Sequence, residues 1–135
     1  MLEFTINGKV YGFKFGLGFV REINKKMTKP MEGVPGEVQE VGLQYYIGCM
    51  FDEDVLALAE LLDIANKTET PRLTKKEIDA FIEDEETDID EVFKQVRDFL
   101  ESANATKKTF KPLLEMYEEE KARREAEKAK AKANV

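Results

Sequence analysis

Between Leu2 and Phe15, apolar residues alternate with polar ones on both sides of an Asn-Gly pair. Leu2, Phe4 and Ile6 alternate with Glu3 and Thr5, and Val10, Tyr11, Phe13 and Phe15 interleave with Lys9, Gly12 and Lys14. Asn7 and Gly8 suit the two positive-φ positions of a type I′ turn, so a two-stranded hairpin is predicted. A lone hairpin is marginal in water, so its apolar face must be covered by the rest of the chain.

Gly16 and Gly18 interrupt the strand pattern, and the period then changes to helical. Phe19, Val20, Ile23 and Met27 predict a short helix over Leu17 to Met27. Pro30, Gly33, Pro35 and Gly36 mark residues 28–36 as a loop. From Glu37 a second helix is expected, with Val38, Val41, Tyr45 and Cys49 on one face and Leu43, Ile47 and Met50 beside it. Gly42 and Gly48 within it each cost about 1 kcal/mol against alanine, a cost consistent with close contact between helices.

A third helix, capped by Asp52 or Asp54 and ending near Lys67, is apolar nearly all round. Such a helix belongs either in the centre of a core or at an interface. Thr74 with Glu77 forms a capping-box pattern ahead of Ile78, Phe81 and Ile82. Thr87 is the expected cap of the next helix, whose stripe of Ile89, Val92, Phe93, Val96, Phe99, Leu100 and Ala103 ends at Ser102-Ala103-Asn104. Phe110, Leu113, Leu114 and Tyr117 supply one last short apolar face. From Glu118 to Ala133 every residue is Ala, Glu, Lys or Arg. These elements predict an α+β fold, mostly α: an N-terminal hairpin packed on a bundle of about five helices. Residues 1–117 form one globular domain in this reading, and 118–135 a charged C-terminal tail, either a solvated helix or disordered.

Composition narrows the chemistry. The 135 residues carry a formal net charge of -7 with 36% charged residues, and the sequence pI is about 4.8. An acidic surface repels nucleic-acid phosphates and anionic membranes, so neither is an expected partner. No apolar run reaches the eighteen or so residues of a membrane span. The start of the chain lacks the charged and apolar regions of a signal peptide. A soluble intracellular protein is therefore expected. Cys49 is the single cysteine, so no internal disulfide can form, and its apolar setting points to a buried structural thiol.

There is no histidine, which removes the commonest general base, the commonest metal ligand and every Ser-His or Cys-His dyad. Gly16-Leu17-Gly18 resembles the start of a dinucleotide-binding loop. Arg21 occupies the position of its third glycine, and no βαβ unit surrounds it. The acidic run Glu83 to Glu91 has the alternating acids of a calcium loop. Begun at Asp84, that loop has Ile89 in place of its glycine and Gln95 in place of its final glutamate. The run reads instead as an inter-helix linker whose acids favour a helix N-terminus, with weak cation binding as the minor reading. No catalytic, cofactor or metal residue is assigned, and an enzyme is not expected.

The hairpin Leu2-Glu3-Phe4-Thr5-Ile6-Asn7-Gly8-Lys9-Val10-Tyr11, its continuation Phe13-Lys14-Phe15 and the helix from Leu17 to Lys26 resemble the tail assembly chaperones of long-tailed bacteriophages and prophages of Gram-positive hosts. The apolar helices, acidic inter-helix region and charged tail also fit that layout. The resemblance implies a non-enzymatic factor of the host cytoplasm, absent from the mature virion, with no cofactor. Its implied partners are the tape measure protein, which it coats, and the major tail protein, which displaces it. The family often makes a longer product by ribosomal frameshifting, with which the Lys128, Lys130 and Lys132 ending is compatible. The alternatives are a small structural tail or connector protein of the virion, and a small regulatory binding module. Self-association is expected from the all-round apolar helix and the edge-exposing hairpin. The candidate self-association or partner surface is Phe4, Ile6, Val10, Phe13 and Phe15 on the hairpin, with Leu56, Leu61 and Ile64 on the third helix.

Overall fold

A computed structural model of the chain describes residues 1–133. Strands β1 (Leu2–Ile6) and β2 (Lys9–Phe13) pair antiparallel, with Ile6 opposite Lys9 and Leu2 opposite Phe13. Asn7 (φ 52°) and Gly8 (φ 79°) make the tight turn, as the Asn-Gly pair requires. Leu2, Ile6, Tyr11 and Phe13 are buried on one face, and the half-buried Phe4 lies opposite Tyr11 on that same face. Val10 is out of phase with them. It stands opposite Thr5 on the outer face and is 53% exposed.

Helix α1 (Leu17–Asn24) buries Phe19 and Ile23 and stops three residues before the predicted Met27. The segment that follows departs further from expectation. Strand β3 (Thr28–Pro30) pairs antiparallel with β4 (Val38–Glu40), and Met31 N–H donates to Glu37 O at 2.9 Å where the ribbon turns. The predicted loop is thus a second hairpin, and the predicted helix from Glu37 starts later, at Gly42. Its cap comes from a distant side chain: Asn24 Oδ1 accepts from Leu43 N–H at 2.9 Å. Val38 is consequently a strand residue, and Val41 precedes the helix that both were expected to share with Tyr45 and Cys49. Helix α2 (Gly42–Phe51) buries Leu43, Ile47, Cys49 and Met50. Burial pushes the Cys49 thiol above its ordinary value, as expected for a structural cysteine.

Helix α3 (Val55–Asn66) is capped by Asp54, whose carboxylate accepts from Leu56 N–H at 3.0 Å and Ala57 N–H at 3.1 Å. It packs against β2, α1, α2 and α4, which explains why it is apolar nearly all round. Helix α4 (Lys75–Glu83) opens with the expected capping box. Helix α5 (Ile89–Ser102) is capped by Asp88, one residue after the expected Thr87, with its carboxylate accepting from Glu91 N–H at 3.2 Å. The buried Thr106 hydroxyl donates to Leu100 O at 2.6 Å, closing the turn into α6 (Lys107–Ala133). Phe110 is buried and Tyr117 stacks on Phe51 (centroids 5.1 Å apart), so the first part of α6 is anchored on α2. Six α-helices and two short hairpins make up the described residues, an α+β fold that is mostly α.

The α4 capping box gives a pH-dependent contribution whose sign can be stated. The Thr74 backbone N–H, and after it the Thr74 hydroxyl, donate to Glu77 Oε1 at 3.0 Å each, and these bonds hold the Glu77 carboxyl below its ordinary value of 4.5. A carboxyl depressed in the folded state stabilises above its unfolded value, and that contribution is lost as pH falls through the folded one. An NMR titration should place the Glu77 midpoint below the ordinary value of 4.5. Substituting Thr74→Ala should move it back up, by removing the hydroxyl and loosening the first turn that holds the backbone bond. An unchanged midpoint in the variant would remove the box as the cause.

Candidate interaction surface

The residues expected to form a partner surface divide sharply. Ile6, Phe13, Phe15, Leu61 and Ile64 are buried in the chain's own core. They cannot meet a partner without unfolding, because the hairpin face and the girth of α3 are already covered from within. Phe4 is half-buried, whereas Val10 and Leu56 are exposed, Leu56 by 82%. The ground for self-association offered by an all-round apolar α3 is thereby removed.

Sequence reading missed the β3–β4 ribbon as a surface feature. Met27, Met31, Val34 and Val38 are all exposed on it, as is every residue from Lys25 to Glu40. The hydrogen bonds Val41 N–H to Met27 O (2.8 Å) and Met31 N–H to Glu37 O place Thr28, Pro30, Val38 and Glu40 at the non-bonded positions of the ladder. Their backbone groups therefore point outward. Pro30 has no N–H to offer on the β3 edge, while the β4 edge keeps both donors, from Val38 and Glu40. An edge of this kind can accept an added strand. No period-2 burial pattern marked these strands, because neither face is buried.

A second feature lies where the first hairpin meets the α4–α5 corner. An open cleft of about 560 Å³ has Phe4 and Phe81 in its floor, their ring centroids 5.4 Å apart, beside Ile6 and Val92. Glu77, Asp84, Glu86, Asp88 and Glu91 rim it, and no basic side chain is among its lining residues. The acidic run therefore does form the expected linker at a helix N-terminus, but it also borders an aromatic floor in which β1 sets Phe4 against Phe81 of α4. Nothing in the run itself could show that. Among the described residues no group of three or more His, Cys, Asp or Glu side chains is placed to hold a metal ion.

Other ionic contacts hold the fold. Arg72 Nη2 lies 2.8 Å from Asp63 Oδ1, and Lys26 Nζ lies 2.7 Å from Glu60 Oε1, which raises the Lys26 ammonium above its ordinary value. Arg97 Nη1 donates to Met50 O at 3.2 Å at the C-terminal end of α2, where a cation complements the exposed carbonyls. No helix among the described residues is long and apolar enough to cross a membrane.

The fold and these surfaces define a small helical protein whose distinctive exposed features are a strand ribbon and charged surfaces. The chain belongs to the phage tail assembly chaperone family: the family model described as "Phage tail assembly chaperone protein, TAC" matches residues 3–115, most of the chain. The match runs from the first hairpin into α6, so the family and the fold cover the same ground. No curated protein and no solved structure matches it.

Proposed function

We propose that the protein is a non-catalytic factor that binds the tape measure protein, and the major tail protein that replaces it, while the tail is built in the host cytoplasm, and that it self-associates and is absent from the finished particle. The observation that carries this reading is membership of the tail assembly chaperone family over residues 3–115. The surface is compatible with the task. A chaperone for a long, extended partner needs apolar contact area together with enough charge to keep the complex in solution. The β3–β4 ribbon offers exposed methionines and valines beside a free strand edge, and the chain as a whole carries a formal charge of -7.

Co-expression with the tape measure protein of the same phage tests the reading. The expected result is a soluble complex of the two, and an insoluble tape measure protein when this chain is left out. Mass spectrometry of purified particles should find none of this chain. Its presence in stoichiometric amount would instead support a structural tail or connector protein.

A further inference from the structure

The cleft between the first hairpin and the α4–α5 corner has the chemistry of a site for basic side chains. It is lined by the half-buried rings of Phe4 and Phe81 and by five carboxylates, with no basic side chain in the lining. Lys9 lies near enough to help lower the Glu77 carboxyl but does not line the cleft. A lysine stem can lie along such a floor while its ammonium reaches the rim or sits over a ring face. The charge of the chain is concentrated at this place. Residues 83–91 include seven acids and no base, equal to the whole formal net charge of -7.

The matching element is at the other end of the chain. Between Lys121 and Ala133, α6 carries six basic residues against two acidic ones, and every residue of that stretch is exposed. No part of its own chain covers it. Arg123 and Arg124 already pair with Glu120 within the helix, which leaves Lys128, Lys130 and Lys132 as the cations of the last turns. At 1.5 Å per residue these thirteen residues project about 20 Å.

We infer that the Lys128–Lys132 end of α6 docks in the Phe4–Phe81 cleft of a second copy of the chain, its ammonium groups against Glu86, Asp88 and Glu91. The contact joins two different surfaces, so it is heterologous, and repeated use of it builds rings or open chains. It is built from exposed charges and weakens as salt shortens their range. The inference rests on the self-association proposed above and is independent of the tape measure partner.

Sedimentation velocity on the full chain at about 50 mM and about 500 mM salt is the test, because screening changes strongly between those values. The wild type should associate at low salt and dissociate at high salt. The variant Lys128→Glu/Lys130→Glu/Lys132→Glu and the variant Glu86→Lys/Glu91→Lys should each associate about tenfold more weakly, since reversing three charges, or two, turns exposed attractions of ordinary strength into repulsions. Neither variant replaces a capping or buried residue, but Glu91→Lys places a cation in the first turn of α5 and removes the acceptor of Gln95 Nε2, so the melting temperature of that variant is measured alongside. Mixing the two should restore a one-to-one association, because the unaltered Lys128–Lys132 end of the second variant then meets the unaltered acidic cleft of the first. Deletion of 118–135, which leaves Phe110 and Tyr117 in place, should abolish association without lowering the melting temperature. Association that persists undiminished in both charge variants would overturn the tail-to-cleft contact while leaving self-association standing. A wild type that stays monomeric at low salt would overturn both.

Discussion

Substituting Gly42→Ala is expected to destabilise the protein by about 3 kcal/mol, at the upper end of the usual overpacking range. A Cβ at this position would sit 1.7 Å from Ile23 O and 2.6 Å from Ile23 C. Both atoms are backbone, at the end of α1, so no side-chain rotamer can relieve the clash. Relief requires α1 and α2 to move apart. That movement also pulls the Asn24 side chain from Leu43 N–H, the bond that caps α2. Thermal unfolding should show a melting temperature lower by roughly 10 °C for a chain of this size. Gly48→Ala in the same helix is the control. Nothing lies within 4 Å of its added Cβ, so the gain in helix propensity should stabilise by about 0.5–1 kcal/mol. Equal effects at the two glycines would contradict the close approach of α1 and α2.

The second large effect is expected at Asn66, which is fully buried at the end of α3. Its Oδ1 accepts from Leu73 N–H at 2.7 Å and from Arg72 Nη1 at 3.0 Å. Its Nδ2 donates to Gly12 O at 3.0 Å and Pro71 O at 3.3 Å. One amide therefore ties β2 to α3 and to the loop that leads into α4. Asn66→Ala leaves the buried Leu73 N–H and the Gly12 carbonyl without partners, each worth about 1–3 kcal/mol. A total loss of about 3–4 kcal/mol is expected, measured as a lower midpoint of urea unfolding with unchanged slope. Asn66→Asp keeps the two acceptor bonds and turns a carboxylate toward two carbonyl oxygens, so it should remain well below the wild type. If either variant unfolds at the wild-type midpoint, the hub does not hold these elements together.

These two positions also show how far the sequence is legible. Gly42 stood out as a glycine inside a helical pattern, and a close helix contact was the natural reason for it; Gly48 carried the same signature and has no such contact. The difference depends on where the end of α1 lies, which no local pattern records. Asn66 carried no signal, since an asparagine at a helix end is ordinary, and its partner Gly12 is 54 residues away. The start of α2 was misplaced for a related reason. Val38, Val41 and Tyr45 fall at helical spacing, but Val38 pairs with Pro30 and the helix is capped by Asn24 from α1. Among the candidate surface residues, apolar character marked those that are buried and those that are exposed alike. Phe13 and Leu61 lie in the core, whereas Val10 and Leu56 face outward.

Features whose causes are local follow from the amino-acid order alone. Asn7-Gly8 sets the first turn, the periodicity of α5 sets its buried face, and the Thr74–Glu77 pair sets the start of α4, while the choice between Asp52 and Asp54 as the α3 cap fell to Asp54 only in the structure. The absence of histidine and the single cysteine are likewise facts of the sequence, and they exclude the dyads and cysteine-pair motifs that need more. Tertiary structure decided the rest. Only packing shows that the apolar girth of α3 is satisfied within one chain, that residues 28–40 form a ribbon with no buried face, and that β1 brings Phe4 against Phe81 of α4 at the acidic corner. In each case the deciding atoms are far apart in the chain, so the local pattern is the same whether the contact forms or not.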